Sequence, residues 1–231
     1  MNRINIIALL FLLSGMPVSS YAAEKLLLTG AEVTTDTASY FFVGAAIPLP
    51  DQTLAHGFVA HLWADFQKYS YDVGVLETRA KVKSVSAAIG YHDAGEGYWW
   101  NAKIGAIHSN TQFSPDDPTN KANGSLTDMK LQLGGERHIS SVNKINGILD
   151  YITDREAYWA RFRFLSLLDN NIYHGPEVIT QGDPSYDAQQ LGWVVTGIAM
   201  QGGSTYGVKA GIRKGDNETS GYFGVELVVP Y

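Results

Sequence analysis

Apolar and polar residues alternate with a period of two from Leu26 to the end of the chain, and helical periodicity is scarce. The clearest run has an apolar, aromatic face made of Tyr98, Trp100, Ala102, Ile104 and Ala106. Its opposite, polar face is made of Trp99, Asn101, Lys103 and Gly105. Because successive side chains of a strand point to opposite faces, this pattern predicts an all-β chain with one apolar and one polar face per strand.

About twelve segments carry the alternation, at the spacing of roughly 10 residues that membrane-spanning strands show. Gly, Asp, Asn and Pro occupy the turns between them. The predicted strands are residues 25–35, 38–47, 56–68, 78–91, 97–108, 126–137, 142–153, 157–167, 172–181, 188–200, 204–213 and 220–231. The face that contains Lys81, Lys83, Val85 and Ala87 changes from charged to apolar partway, which is compatible with a β-bulge in that strand.

Two features favour a membrane barrel over a soluble sandwich. The last strand has an unbroken apolar face that ends on an aromatic residue, Tyr231, as outer-membrane insertion signals do. Charged and small residues occupy the opposite faces, among them Lys209, Gly224 and Glu226. Such residues suit a wet lumen, and a closed barrel pairs every backbone group that lipid leaves without water. The sequence therefore predicts a single antiparallel transmembrane β-barrel over residues 23–231.

The N-terminus has the pattern of a secretory signal peptide. Arg3 precedes an apolar run from Ile4 to Leu13, which is too short to span a bilayer. Small residues at Ser20 and Ala22 predict cleavage after Ala22 and hence a signal peptide over residues 1–22. With a periplasmic N-terminus, turns at 139–141, 169–171 and 202–203 face the periplasm, and loops at 109–125, 182–187 and 214–219 face outward. The expected location is the outer membrane.

Composition excludes several classes of function. The chain has no Cys, so disulfide scaffolds and thiolate chemistry are excluded. Its formal net charge is -6 and Lys and Arg are scattered singly, which argues against nucleic-acid binding. Neither a phosphate-binding Gly-rich loop nor metal-ligand spacing of His residues is present, so we expect no cofactor.

Six short segments of the chain carry a resemblance to a known family. They are Gly30–Val33 and Tyr40–Ala45 in the first hairpin, Ser114–Asn120, Tyr158–Arg161, Gly175–Val178 and Tyr186–Gln189. Together these segments resemble the BcsS family of bacterial cellulose-biosynthesis proteins. The resemblance implies a secreted, outer-membrane-type protein that serves production of cellulose or a related biofilm exopolysaccharide and has no defined catalytic activity. It also implies contact with membrane lipid, with the polysaccharide or with periplasmic parts of the synthesis machinery.

The inward faces supply the candidate binding residues. Arg161, Arg163 and Glu177 are expected to form an ionic network that either braces the lumen or binds a solute. The other lumen candidates are Trp63, Trp99, Trp159 and Lys103. Inward Trp rings either stack on the apolar faces of sugar rings or fill a narrow barrel.

Two further motifs have competing interpretations. Ser114, Asp116 and Asp117 belong to a predicted external loop, where the carboxylates either bind a cation or cap a proline-stiffened turn. His138 and Ser140 have the spacing of a catalytic pair in outer-membrane lipid hydrolases, although the topology places them in a periplasmic turn. The leading hypothesis is a non-enzymatic barrel for polysaccharide production. The alternatives are a lipid-modifying hydrolase and a generic small-solute porin.

Overall fold

Every strand of the protein is hydrogen-bonded to two antiparallel neighbours, so the sheet closes on itself. The computed structural model describes residues 25–231 except 37, 74, 75, 119, 121, 185, 216 and 217. The expected signal peptide, residues 1–22, lies outside the described residues. β1 pairs with both β2 and β12, and the other strands pair in chain order. The predicted all-β, twelve-stranded antiparallel barrel is confirmed.

The strand bounds follow the alternation closely. They are β1 (Leu26–Thr34), β2 (Ser39–Pro48), β3 (His56–Val73), β4 (Leu76–Gly95), β5 (Tyr98–Ser114), β6 (Gly124–His138), β7 (Asn143–Ile152), β8 (Ala157–Asp169), β9 (Ile172–Asp183), β10 (Tyr186–Ala199), β11 (Thr205–Lys214) and β12 (Thr219–Pro230). A single 3-10 turn, Gln201–Gly203, joins β10 to β11. Among the described residues, no helix has the length and apolarity needed to cross a membrane.

The two ends of the barrel differ in their connections. We call the end where the chain starts and stops the terminal rim, and the opposite end the far rim. At the terminal rim the backbones of Lys25 and Tyr231 bond each other in both directions at 3.0 Å. The longest connection, residues 115–123, lies at the far rim between β5 and β6.

Three details of the predicted strands were wrong. β3 and β4 are longer than expected and pair continuously from His56 opposite Asp93 to Val73 opposite Leu76, so β4 has no bulge. The register shifts occur instead between Leu167 and Asp169 and between Val195 and Ile198. β5 is longer as well: it was predicted to end at residue 108, before a loop over residues 109–125, but it continues to Ser114, which is therefore a strand residue and not a loop residue. Outward side chains change from apolar to charged along β4 because the strand continues beyond the apolar part of the outer wall.

The outer wall carries a belt of exposed apolar side chains, which includes Leu62, Ile104, Leu133, Phe162, Leu191, Ile212 and Phe223. Tyr98 and Trp100 are also exposed on the outer face of β5, near the terminal rim. A water-soluble protein would bury such a belt, whereas lipid-facing barrel walls have this composition with aromatic residues at the edges.

We expect the purified, detergent-solubilised protein to migrate faster in a denaturing gel without heating than after boiling. A closed barrel has no unpaired sheet edge at which detergent could begin to disrupt the strand pairing. The barrel therefore stays compact until heating breaks the hydrogen bonds between its strands. The measurement compares unheated and boiled samples of one preparation. Identical mobility in both lanes would contradict a detergent-resistant closed barrel.

Candidate functional site in the barrel lumen

The lumen contains a cavity of about 900 Å³ that is lined by inward-facing side chains from around the wall. Its lining includes ionised, amide and aromatic groups. The lumen has three regions. Two are parts of the wall, one lined by ion pairs and one by aromatic rings, and the third is a cluster of side chains at the far rim. All the lumen candidates predicted from the sequence face this cavity or the ion pairs beside it.

The ion-paired region, which we call the ion belt, comprises Glu32, Arg161, Arg163, Glu177, Lys209 and Glu226. Arg163 contacts Glu177 at 2.5 Å and Glu226 at 2.9 Å. Arg161 contacts the same Glu226 at 3.0 Å. Glu177 is 0% exposed and Arg163 is 4% exposed, so water does not solvate these charges. Each charge is stabilised by its ion-pair partners instead.

Strand register explains how the belt assembles. Arg163 on β8 lies directly opposite Glu177 on β9. Gly224 on β12 lies between Lys209 on β11 and Glu32 on β1 in the same row of the sheet. The Lys209 side chain crosses the space above Gly224, and the Lys209 Nζ lies 2.7 Å from a Glu32 carboxylate oxygen. A Cβ added at Gly224 would lie only 2.7 Å from the Cε of Lys209. The absent side chain at Gly224 therefore makes room for this ion pair.

The structure brings Arg161, Arg163 and Glu177 together through a residue that the sequence did not connect to them. Glu226 contacts both arginines. Glu226 and Lys209 were assigned to polar faces, but their partners were not predicted, and Glu32 was not singled out. The β1–β12 ladder, which joins residues at opposite ends of the chain, places them together.

The lumen wall of β5–β7 holds further charges. Lys130 contacts Asp150 at 3.3 Å and Lys144 contacts Glu136 at 3.0 Å. Lys103, a predicted lumen candidate, faces the same cavity from β5. Within the described part of the chain, Lys103 has no carboxylate within 4 Å. Its ammonium group is therefore available to a polar ligand in the cavity.

An aromatic wall, formed by Tyr40, Phe42 and Trp63, lies on β2 and β3. The Phe42 and Trp63 rings stack with centroids 4.6 Å apart and an interplanar angle of 10°. Phe42 lies against Gly30, and Trp63 lies against Gly44, where an added Cβ would be only 2.0 Å from the ring. The glycines let both rings lie close to the sheet and leave the cavity beside them open.

The predicted tryptophans do not form one group. Trp63 belongs to the aromatic wall, whereas Trp99 and Trp159 line the cavity from β5 and β8. The Arg161 guanidinium lies 5.7 Å from the centre of the Trp159 ring. Sequence reasoning missed Tyr40 and Phe42 as lumen residues, although both fall on the inward face of the predicted second strand, with the same parity as Gly44.

Side chains from opposite sides of the barrel meet near the far rim. Tyr69 on β3 and Tyr186 on β10 have ring centroids 5.2 Å apart, and Tyr71 packs edge-on against Phe113 at 5.9 Å. Ala122 of the 115–123 loop packs against this far-rim cluster. The cluster narrows the lumen at the end opposite the chain termini.

The carboxylates of the 115–123 loop bond to protein groups. The Tyr71 hydroxyl donates to Asp117 at 2.8 Å, and the Asn123 amide donates to Asp116 at 3.2 Å. These side-chain contacts attach Asp117 to the far-rim cluster and Asp116 to Asn123 of the same connection. Among the described residues, no group of three or more His, Asp or Glu is placed to hold a metal ion.

His138 and Ser140 lie at the terminal rim and do not contact each other through a hydrogen bond in the described part of the chain. Ser140 Oγ accepts the backbone N–H groups of Val142 and Asn143 at 3.3 and 3.0 Å. The His138 ring lies edge-on to Tyr173, with centroids 6.2 Å apart. The hydroxyl caps a turn, which is not the arrangement of a nucleophile held by its base.

Comparison with known proteins agrees with this architecture. The family model for cellulose biosynthesis protein BcsS matches residues 26–230. The chain belongs to the BcsS family. Family membership connects the barrel to cellulose biosynthesis. No curated protein matches the chain by sequence.

Solved structures with the same fold are distant in sequence. The translocator domain of the autotransporter NalP from Neisseria meningitidis has a TM-score of 0.54 and 11% identity, with 92% of this chain and 90% of that chain covered. The β domain of the Bordetella autotransporter Brka has a TM-score of 0.51 and 12% identity, with 91% and 100% covered. The KdgM porin has a TM-score of 0.48 and 10% identity, with 87% and 97% covered. The fold is that of outer-membrane barrels.

We expect Arg163→Met to lower the unfolding free energy of the barrel by about 3–5 kcal/mol, because the change leaves the buried Glu177 without its strongest partner. A matched control is Arg79→Met, which breaks the exposed contact with Glu77 at 3.4 Å and costs about 0–1 kcal/mol. Thermal or urea unfolding in detergent, followed by tryptophan fluorescence, measures both. Equal stability of the two variants would contradict the bracing role of the ion belt.

Proposed function

We propose that the protein resides in the outer membrane with its terminal rim toward the periplasm, and that it assists export of cellulose or a related exopolysaccharide without catalysing a reaction. In this proposal a saccharide segment binds in the lumen cavity, which is reached from the periplasm. Family membership, the apolar outer belt and the longest loop at the far rim support the proposal. The other partners would be membrane lipid and periplasmic components of the synthesis machinery.

The aromatic wall is the observation that carries this proposal. Sugar rings present apolar C–H faces that pack on aromatic rings, and their hydroxyl groups need hydrogen-bond partners. Phe42 and Trp63 supply a stacked aromatic surface, and Lys103 supplies a cation that no described carboxylate neutralises. The cavity volume of about 900 Å³ lies within the usual range for small-ligand sites.

The far-rim cluster favours a binding chamber over a generic small-solute porin. A diffusion pore needs a continuous wet path, whereas Tyr69 and Tyr186 meet across the barrel from β3 and β10. Asp117 and Ala122, from the connection between β5 and β6, contact the cluster at the same end. A saccharide that enters from the terminal rim would therefore encounter the aromatic wall and Trp99 before it reaches the cluster.

The ion belt has a structural role in this proposal. Its carboxylates and cations are already paired, and Glu177 is fully buried. Charged groups that already hold ion-pair partners gain little from a ligand that must displace those partners. We therefore assign ligand contact to the aromatic wall and Lys103, and bracing to Arg161, Arg163 and Glu177.

We expect Trp63→Leu to reduce extracellular cellulose severalfold at unchanged barrel abundance, since loss of an aromatic stacking surface weakens binding by about tenfold. The matched control is Trp100→Leu, which removes the same ring from the lipid-facing side of β5. Cellulose staining normalised to folded barrel in the membrane fraction measures the effect. Wild-type cellulose levels in the Trp63 variant would refute the lumen site.

A further inference from the structure

The outer wall of β3 and β4 changes abruptly from apolar to basic toward the far rim. Ala64 and Val85 face each other in the apolar belt, and the next row pairs Phe66 with Lys83. The row after that pairs Lys68 with Lys81. We call Lys68, Lys81 and Lys83 the lysine patch. All three side chains are exposed, and alternation from the inward residues of β3 and β4 places them on the outer wall.

The lysine patch contains an unfavourable like-charge pair. Lys68 and Lys81 are direct cross-strand partners, whose Cβ atoms lie about 5 Å apart in antiparallel sheets. Within the described residues, none of the three lysines has a carboxylate within 4 Å. The neighbouring Arg79 contacts Glu77 at 3.4 Å, which leaves its own charge partly compensated. Like charges opposite each other destabilise a sheet, so an anion outside the chain would relieve the repulsion.

The flanking strands add neutral polar groups at the same height. Ser39 on β2 pairs with Lys68, Gln112 on β5 pairs with Lys81, and Asn110 on β5 pairs with Lys83. These hydroxyl and amide groups donate hydrogen bonds to anionic oxygens and bring no competing negative charge. The combination of three ammonium groups and neutral donors fits a phosphate-bearing ligand.

The position of the lysine patch indicates the source of the phosphate. The Lys68 ammonium lies 5.3 Å from the centre of the Phe66 ring, so the charge adjoins the apolar belt on its far-rim side. Lysines at such a boundary keep their stems on apolar surface and hold their charges at headgroup height. A soluble acidic polymer gains nothing from the adjoining belt, whereas a lipid places its acyl chains there and its phosphate beside the lysines.

We propose that the lysine patch binds the phosphate groups of anionic lipids in the leaflet at the far rim. This inference uses only the membrane placement given under the proposed function and is independent of the lumen site. In an outer membrane the ligands would be phosphorylated glycolipids of the outer leaflet. The bound lipid neutralises Lys68 and Lys81 together and fixes the height of the barrel in the bilayer.

The test uses the full-length mature protein in detergent micelles that contain either phosphatidylcholine or phosphatidic acid. Native mass spectrometry measures how much lipid each variant retains. We expect the wild-type protein to retain phosphatidic acid in preference to phosphatidylcholine. The triple variant Lys68→Gln, Lys81→Gln, Lys83→Gln should bind phosphatidic acid roughly 100-fold more weakly, since each lysine removed weakens binding by about fivefold. The control triple variant Lys25→Gln, Arg137→Gln, Lys214→Gln loses the same charge elsewhere and should bind like wild type.

A second readout separates lipid binding from a structural effect. In neutral detergent, Lys81→Gln should raise the unfolding temperature because it removes the repulsion with Lys68. With phosphatidic acid present, wild type should gain more stability than the variant, which keeps only two of the three lysines. Equal phosphatidic acid retention by both triple variants would overturn the proposal. Binding of a soluble polyuronate by the lysine patch, without binding of phosphatidic acid, would also overturn it and would assign the patch to acidic polysaccharide.

Discussion

The hydrogen-bond ladder between β1 and β12 determines the rest of the structure. It pairs Leu26 with Pro230 and Thr34 with Tyr222, and so it removes the last free edge of the sheet. Lipid offers no hydrogen bonds to a free edge, and closure meets that requirement for every strand at once. Closure also directs alternate side chains into a narrow lumen, where each buried charge needs a partner. The contact between Lys209 and Glu32 exists because the first and last strands are neighbours.

The period-two pattern was sufficient to predict strand number, topology and the face of most side chains, because parity along a strand is a local property. Which charged side chains form ion pairs with each other is not a local property. Arg163 and Glu177 lie on consecutive strands and were anticipated as a pair, whereas the contact of Lys209 with Glu32 requires the register across β12 and a side-chain-free position at Gly224. Sequence spacing contains neither piece of information.

Two other differences have the same physical origin. The change of character along Lys81–Ala87 was interpreted as a bulge because the sequence does not show how far β4 rises above the apolar belt. The aromatic wall was only partly anticipated, since Phe42 and Trp63 become a single surface through diagonal contact across β2 and β3. Such contacts depend on where glycines allow rings to approach the backbone, here Gly30 and Gly44.

The lumen thus divides into a paired ionic side that gives rigidity and an aromatic side that remains open to a ligand. Calorimetric titration of the purified barrel with a soluble cello-oligosaccharide tests this division directly. We predict saturable heat with the wild-type protein and with an Arg161 variant that still folds, and about tenfold weaker binding when Trp63 is replaced by Leu. A wild-type titration indistinguishable from dilution into buffer would contradict a saccharide site in the lumen.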